Sequence, residues 1–406
     1  MAGAGRIVVA LLVVVLGTGV GTAGTAGTAT AEALAPEPFG TWTGTWEAAA
    51  SGTAPAQPGA SFRNVVHLSV GGSATRVRLT NRLGTAPLRL DAVTVALRET
   101  GPDAVPGSMR VATFAGTGTV TIPAGEDLVS DPVALAVPDA ADLLVTVHTP
   151  DDSGPATYHR AAGQTNYRAP QGNRAADVDG SAYTATTTSW YYVTGVDVLD
   201  APAAGSVVTF GDSLTDGNGS TRDANHRWPD RLSERLAALP PYRRLGVLNA
   251  GISGNRLLRE DVGPSALSRL DADALSRSGV RVLIVLEGIN DIKGTPAATD
   301  PAAFEDAYRT LVTRAHAHGI RVIGATLTPY GGSSGYTAAR EAVRQEVNTF
   351  IRADSPFDAV VDFDAAVRDP EQPQRIRPGY DSGDHLHFND AGMRALADTV
   401  DLTMLS

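Results

Sequence analysis

Hydrophobic and polar positions follow two different periods along this chain. From about residue 41 to 200 the apolar residues come in short runs. Thr75-Arg76-Val77-Arg78-Leu79-Thr80 alternates apolar and polar at period 2, as a half-buried strand does. Strands are also expected at 62–70, 88–97, 118–122, 143–148 and 190–199. Gly or Pro lies in or near most of the gaps. No stretch here has a clear 3.6-residue period, so this part is expected to be all-β, a sandwich or jelly roll.

A hinge, Ala201-Pro202-Ala203-Ala204-Gly205, separates the two patterns. After it, apolar runs at 206–210, 245–249, 280–286, 320–325 and 359–363 alternate with helical segments at 228–239, 302–318, 338–353 and 390–405. Val280–Leu286 is apolar at nearly every position, as a strand buried on both faces of a parallel sheet must be. Phe304, Tyr308, Leu311, Val312 and Ala315 fall on one side of a helix that ends near Gly319. Strand–helix alternation at this spacing predicts an α/β fold with a parallel sheet and helices on both faces.

Ahead of both patterns, Arg6 precedes an apolar run from Ile7 to Leu16, and Ala29-Thr30-Ala31 fits a small-residue cleavage site. Residues 1–31 therefore read as a secretory signal peptide; the run is too short for the ~20 residues of a spanning helix. The expected mature protein is secreted, without a stable membrane anchor, and is taken as a monomer. The expected domains are 37–200 (β) and 205–406 (α/β).

Composition narrows the chemistry. The net charge of −11 argues against a nucleic-acid partner. The absence of cysteine removes disulfides, thiol nucleophiles and thiolate metal sites. No H-E-x-x-H pattern is present, so neither a metal nor another cofactor is expected. Trp42, Trp46 and Trp190 lie in the β half, where core packing or docking is expected over carbohydrate stacking.

Active sites of open parallel sheets collect at the carboxyl ends of the strands. Four such segments stand out. Gly211-Asp212-Ser213-Leu214-Thr215-Asp216-Gly217 puts a serine in a glycine-flanked turn, a placement that suits a nucleophile and equally suits plain turn chemistry. Asn249-Ala250-Gly251-Ile252-Ser253-Gly254-Asn255-Arg256 has glycines that free backbone N–H groups to face a ligand. Glu287-Gly288-Ile289-Asn290-Asp291 offers a side-chain amide, for an oxyanion or for a helix cap. In 381–389, an Asp three residues before a His matches the division of roles in a Ser-His-Asp triad. Asp384/His387 has that spacing, and Asp381/His385, four apart, is a rival pair in the same loop. Asp212 and Asp291 read as residues that fix their turns.

These four segments resemble, in order, the blocks of the SGNH, or GDSL-type, hydrolase family. The resemblance spans about 205–406, and the β half resembles the extra domain of some larger secreted bacterial members. It implies a three-layer, flavodoxin-like catalytic domain. It also implies Ser213 as nucleophile, and Ser213, Gly254 and Asn290 as the oxyanion hole. The family's D-x-x-H pattern falls on Asp384 and His387. Arg256, Trp228 and His385 are candidate substrate contacts. The function implied is a serine esterase, with O-acetyl esters of carbohydrates the expected substrates. Lipid or aryl esters are the alternative, and a non-catalytic glycan- or wall-binding protein on the same fold is a second. The stretch 157–167 is expected to be a solvent-exposed connection rather than a loop reaching the catalytic mouth.

Overall fold

A computed structural model describes residues 40–354 and 356–405. The expected signal peptide, residues 1–31, lies outside the described residues. In the second half, five strands form an all-parallel sheet in the order Gly246–Gly251, Ser206–Gly211, Val280–Leu286, Arg321–Ala325, Ala359–Val361. This is the doubly wound 2-1-3-4-5 order, whose direction reverses between the first strand and its third-strand neighbour. Successive side chains point to opposite faces. Val282, Ile284 and Leu286 therefore join one core, while Leu283 and Val285 join the other.

The helices cover both faces. Pro301–Ala317 begins with Asp300, whose carboxylate accepts from the Ala302 amide at 3.0 Å, and with Pro at its first turn. It buries Phe304, Ala307, Tyr308, Leu311, Val312 and Ala315 at helical spacing. The helix expected at 390–405 stops earlier: Asp390–Thr399 is α-helical and Leu402–Leu405 is a separate 3₁₀ turn.

The first half is rich in antiparallel β-structure. One four-stranded sheet runs in the order Trp42–Glu47, Val193–Leu199, Ala74–Thr80, Asp127–Val129. A larger sheet centres on Asp142–Thr149 between Ala60–His67 and Ala92–Thr100. Two expected strands are divided. The 88–97 run becomes Leu88–Leu90 and Ala92–Thr100, in different sheets. The 190–199 run breaks at Tyr192, which has φ +62°. Both runs switch sheets, and a switch needs a bend that alternation alone does not mark. Trp46 and Trp190 meet edge to face at 5.0 Å inside the core, and Trp42 carries the Arg76 guanidinium at 4.4 Å.

Gly40–Ser406 packs as one unit, and the contact between the halves is specific. The strand Gly246–Gly251 is an edge of the parallel sheet. The β half covers it: Ala48 bridges Asn249, and the Val247 amide donates to Ser69 Oγ at 2.9 Å. Beside this edge lies a buried charge network. Asp273 bonds Arg82 of the β half and meets Arg269 at 3.3 Å and Arg277 at 3.6 Å. Arg277 in turn donates to Glu47 at 2.8 Å. Burial opposes ionisation of Asp273, but the three guanidiniums outweigh it and hold its pKa below the usual range. Burial pushes Glu47 up to about 8 against the pull of Arg277.

Removing Asp273 leaves three cations at this seam without their shared partner. Asp273→Ala is expected to destabilise the protein by about 3–5 kcal/mol, read from urea unfolding at neutral pH. A change below about 1 kcal/mol would show that the network does not hold the halves together.

Candidate active site

The strand Ser206–Gly211 ends in a turn that its neighbours make tight. A Cβ at Gly211 would lie 2.3 Å from the Leu286 carbonyl, so only glycine lets the strands pack this closely. The short helix Ser213–Asp216 follows at once. Asp212 caps it by accepting from the Leu214 amide at 2.9 Å. Ser213 is therefore the first helical residue, and its own amide has no helical acceptor.

Ser213 Oγ lies 2.8 Å from His387 Nε2 and donates to it. His387 Nδ1 donates to Asp384 Oδ2 at 2.5 Å. Asp384 Oδ1 accepts from the Leu386 and His387 amides at 3.0 and 2.8 Å, which folds the 384–387 turn around its own carboxylate. Partial burial opposes ionisation of Asp384, but these bonds and the His387 ring outweigh it and draw the pKa down to about 2. The rival pair also forms. Asp381 Oδ2 accepts from His385 Nδ1 at 2.6 Å, but His385 has φ +63° and its ring lies against Gly332 rather than at Ser213.

Gly254 has φ +88°, a left-handed conformation that glycine adopts without steric cost. Neither this amide nor that of Ser213 is spent on another group among the described residues. Asn290 is nearly buried, and its side-chain amide donates one hydrogen to the Asn255 carbonyl at 2.9 Å, which leaves the second free. Ser213, Gly254 and Asn290 thus stand at the ends of three adjacent strands.

Behind them, the buried guanidinium of Arg269 donates to the carbonyls of Gly211 and Ala250 and to Asn255 Oδ1, at 2.9, 2.7 and 2.9 Å. Asp291 accepts from the Leu257 and Leu258 amides at 2.8 and 3.0 Å and so holds the 255–258 segment against the third strand end.

The three candidate substrate contacts fare differently. Trp228 is 0% exposed and packs edge to face on Phe363, so it is a core residue and cannot line a site. Its place at a helix start, with the apolar face turned inward, decides this. Arg256 is also buried, and it is occupied by Asp261 at 2.8 Å and the Pro296 carbonyl at 3.1 Å. It acts as a loop tie. His385 is half-exposed beside the site.

The 157–167 stretch departs from expectation. Ala156–His159 is a strand, and His159 is buried against the helix Ser213–Asp216. Its Nδ1 donates to the Ala49 carbonyl at 2.8 Å and its Nε2 to Asp216 Oδ1 at 3.0 Å. Both ring nitrogens face acceptors, an arrangement that favours the protonated ring. Burial works against that charge, but the Asp216 carboxylate outweighs it and raises the His159 pKa. Asp216 Oδ2 accepts from the Ser253 amide at 2.8 Å and also from its hydroxyl. His159, Asp216 and Ser253 thus link the β half to the residue before Gly254. Sequence offered no sign of this, because the partners are far apart in the chain.

Asp212 adds a pH dependence. Burial raises its pKa to about 7, only partly offset by the Leu214 amide, with Asp291 adding to the rise. A carboxyl raised in the folded state adds stability below its unfolded value of about 4, and that stability is lost as pH rises through about 7. Asp212→Asn should therefore shrink the fall in melting temperature between pH 5 and pH 8. An equal fall in both proteins would exclude Asp212 as its source.

Residues 209–395 match the model of the GDSL-like Lipase/Acylhydrolase family. No curated protein matches the chain. Among solved structures, a lipolytic protein of the G-D-S-L family from Desulfitobacterium hafniense is 21% identical, covering 48% of this chain and 96% of its own, with a TM-score of 0.37. The M. smegmatis aryl esterase is 20% identical over 47% of this chain and 94% of its own, TM-score 0.38. An acetyl xylan esterase is 21% identical over 48% and 96%, TM-score 0.37. The matched segment runs from the strand before Ser213 to the last helix and takes in both ends of the Ser213–His387 contact, so the chain carries a GDSL-like lipase/acylhydrolase domain and is an ester hydrolase.

Proposed function

We propose that the chain is a secreted, monomeric serine esterase that removes O-acetyl groups from carbohydrates through an acyl-enzyme. The observation that carries this reading is the unbroken line from Asp384 through His387 to Ser213, with bonds of 2.5 and 2.8 Å. His387 Nε2 takes the Ser213 proton as Oγ attacks the ester carbonyl. Asp384 stabilises the imidazolium that forms. The amides of Ser213 and Gly254 and the free hydrogen of Asn290 receive the oxyanion. His387 then returns the proton to the leaving alcohol, and the acyl group remains on Ser213. Water, deprotonated by the same nitrogen, releases the acid and restores the serine. The sugar preference and export are carried by the sequence reading, with the β half as an accessory sandwich beside the site.

Ser213→Ala is expected to lower kcat on p-nitrophenyl acetate by at least about 10⁴-fold, with an unchanged far-ultraviolet circular dichroism spectrum. A purified, folded mutant within a few-fold of wild type would sink the mechanism. Asn290→Ala should cost about 10²–10³-fold in kcat, and a loss confined to KM would remove it from the oxyanion hole. Acetate release from an acetylated oligosaccharide, faster than hydrolysis of long-chain aryl esters, tests the substrate class.

A further inference from the structure

His159 is a buried titratable residue of the β half that takes no part in the proton transfer between Ser213 and His387. It ends the strand Ala156–His159, which pairs with Gly52–Ala54 on one side and with Trp190–Tyr191 on the other. The Trp190 ring lies 5.4 Å from the imidazole. Nδ1 donates to the Ala49 carbonyl at 2.8 Å. The β half thus fixes the ring, and Nε2 reaches across to Asp216 at 3.0 Å.

Asp216 closes the one-turn helix that Ser213 opens, and its amide donates to the Asp212 carbonyl at 2.8 Å. The neighbouring strand comes so close here that a Cβ on Gly251 would lie 2.2 Å from the Asp216 nitrogen. Asp216 Oδ1 accepts from His159, and Oδ2 accepts from both the amide and the hydroxyl of Ser253. The Gly254 N–H belongs to the planar peptide unit that begins at Ser253, so what fixes Ser253 also aims that donor. On the far side of Gly254, the Asn255 carbonyl accepts from Asn290 and Asn255 Oδ1 accepts from Arg269, both at 2.9 Å. Gly254 therefore hangs between two anchors, and Asp216 is the near one.

A carboxylate can turn about its Cβ–Cγ bond unless both oxygens are held. His159 holds the one that Ser253 does not. A neutral imidazole carries one N–H and the protonated ring two, so only the protonated ring serves both Ala49 and Asp216. The charges that face the ring are Asp216 and Arg227. Burial lowers the His159 pKa, Asp216 outweighs burial and raises it, and Arg227 opposes the rise. Arg227 is itself engaged by the Ala162 carbonyl and by Asp230. Glu47, His67 and Asp230 line the cavity of about 30 Å³ that the ring also lines.

We infer that His159 is a positioning residue for ester hydrolysis: through Asp216 it fixes Ser253, and so the Gly254 donor, relative to Ser213. This rests on the oxyanion role proposed above for Gly254 and makes the β half a working part of that site. Without a donor at Nε2, Asp216 Oδ1 is a buried oxygen with no partner. The carboxylate then turns, Ser253 moves with it, and the Gly254 N–H no longer meets the oxyanion. The Ser213–His387 contact does not pass through His159. The loss therefore falls on a bond made in the transition state, and so on kcat rather than KM.

The experiment follows p-nitrophenyl acetate hydrolysis by the full chain from about pH 5 to about pH 9, with Ser213→Ala as the background. Wild-type kcat should fall on the alkaline side as His159 loses its proton, above the usual histidine value of about 6.5. His159→Gln keeps a donor toward Asp216 that does not titrate. Its kcat at neutral pH should stay within about threefold of wild type, and its alkaline fall should vanish. His159→Leu has no donor and should lose at least about tenfold in kcat, with KM within about twofold of wild type. An alkaline fall that persists in His159→Gln belongs to another buried acid, Glu47 at about 8 or Asp212 at about 7, and overturns the inference. So does the lack of any alkaline fall in wild type, a folded His159→Leu with wild-type kcat, or a loss confined to KM. If His159→Leu does not fold, the glutamine profile decides alone. In each of these cases Ser213-dependent hydrolysis by the wild type leaves the esterase reading standing, whereas its absence sinks that reading itself.

Discussion

Asp273 is the carboxylate on which the arrangement turns. It is fully buried and serves three guanidiniums at once, those of Arg82, Arg269 and Arg277. Each cation does separate work. Arg82 ties the β half down, Arg277 reaches Glu47 on the strand beside the sheet edge, and Arg269 holds the carbonyls of two strand ends and Asn255. A buried cation without an anion costs several kcal/mol, so the three arginines are tolerable only together with their shared partner. The positions of the Ser213 turn and the 251–255 loop follow from where Arg269 is held. The chemistry at the surface of the site thus inherits its geometry from an ion cluster beneath it.

Asp216 plays the corresponding part on the open side. It lies in the helix that begins with Ser213, and its two oxygens face opposite ways, one to His159 and one to Ser253. The β half is therefore connected to the two loops that meet at the proposed oxyanion site. Were the halves joined only by the 201–205 linker, the strand carrying His159 could drift relative to Ser213. A displacement of 1 Å in such a setting can cost about two orders of magnitude in rate. Covering the edge strand Gly246–Gly251 serves the same end, since a sheet edge with its hydrogen bonds spent is a firmer support.

What could be read from the sequence divides along physical lines. The parallel sheet was legible because a strand buried on both faces must be apolar over its buried length, and Val282–Leu286 is. The strand-end segments that carry Ser213 and Asn290 were legible because the apolar runs mark where the strands stop. Asp384 and His387 could be related because a three-residue turn brings them together. Long-range partners left no local trace. His159 meets Asp216, 57 residues away, and a lone histidine in a polar stretch carries no sign of burial. Trp228 misled for the opposite reason: a large aromatic near a catalytic turn suits a sugar platform as well as a core, and only its 0% exposure decides. The strand switch inside the 190–199 run was hidden because its bend falls on Tyr192, a non-glycine residue with φ +62°.

The division of labour follows from these supports. The α/β half carries Ser213, Gly254 and Asn290 at strand ends, positions fixed by a sheet that tolerates little change. In the β half, the strand Ala156–His159 is clamped at one residue, His159, and the next residue, Arg160, is exposed. Burial and exposure thus fall on adjacent positions, His159 inward and Arg160 outward. Through this arrangement the β half is held in register with the Ser213 turn by buried contacts and not by the 201–205 linker alone.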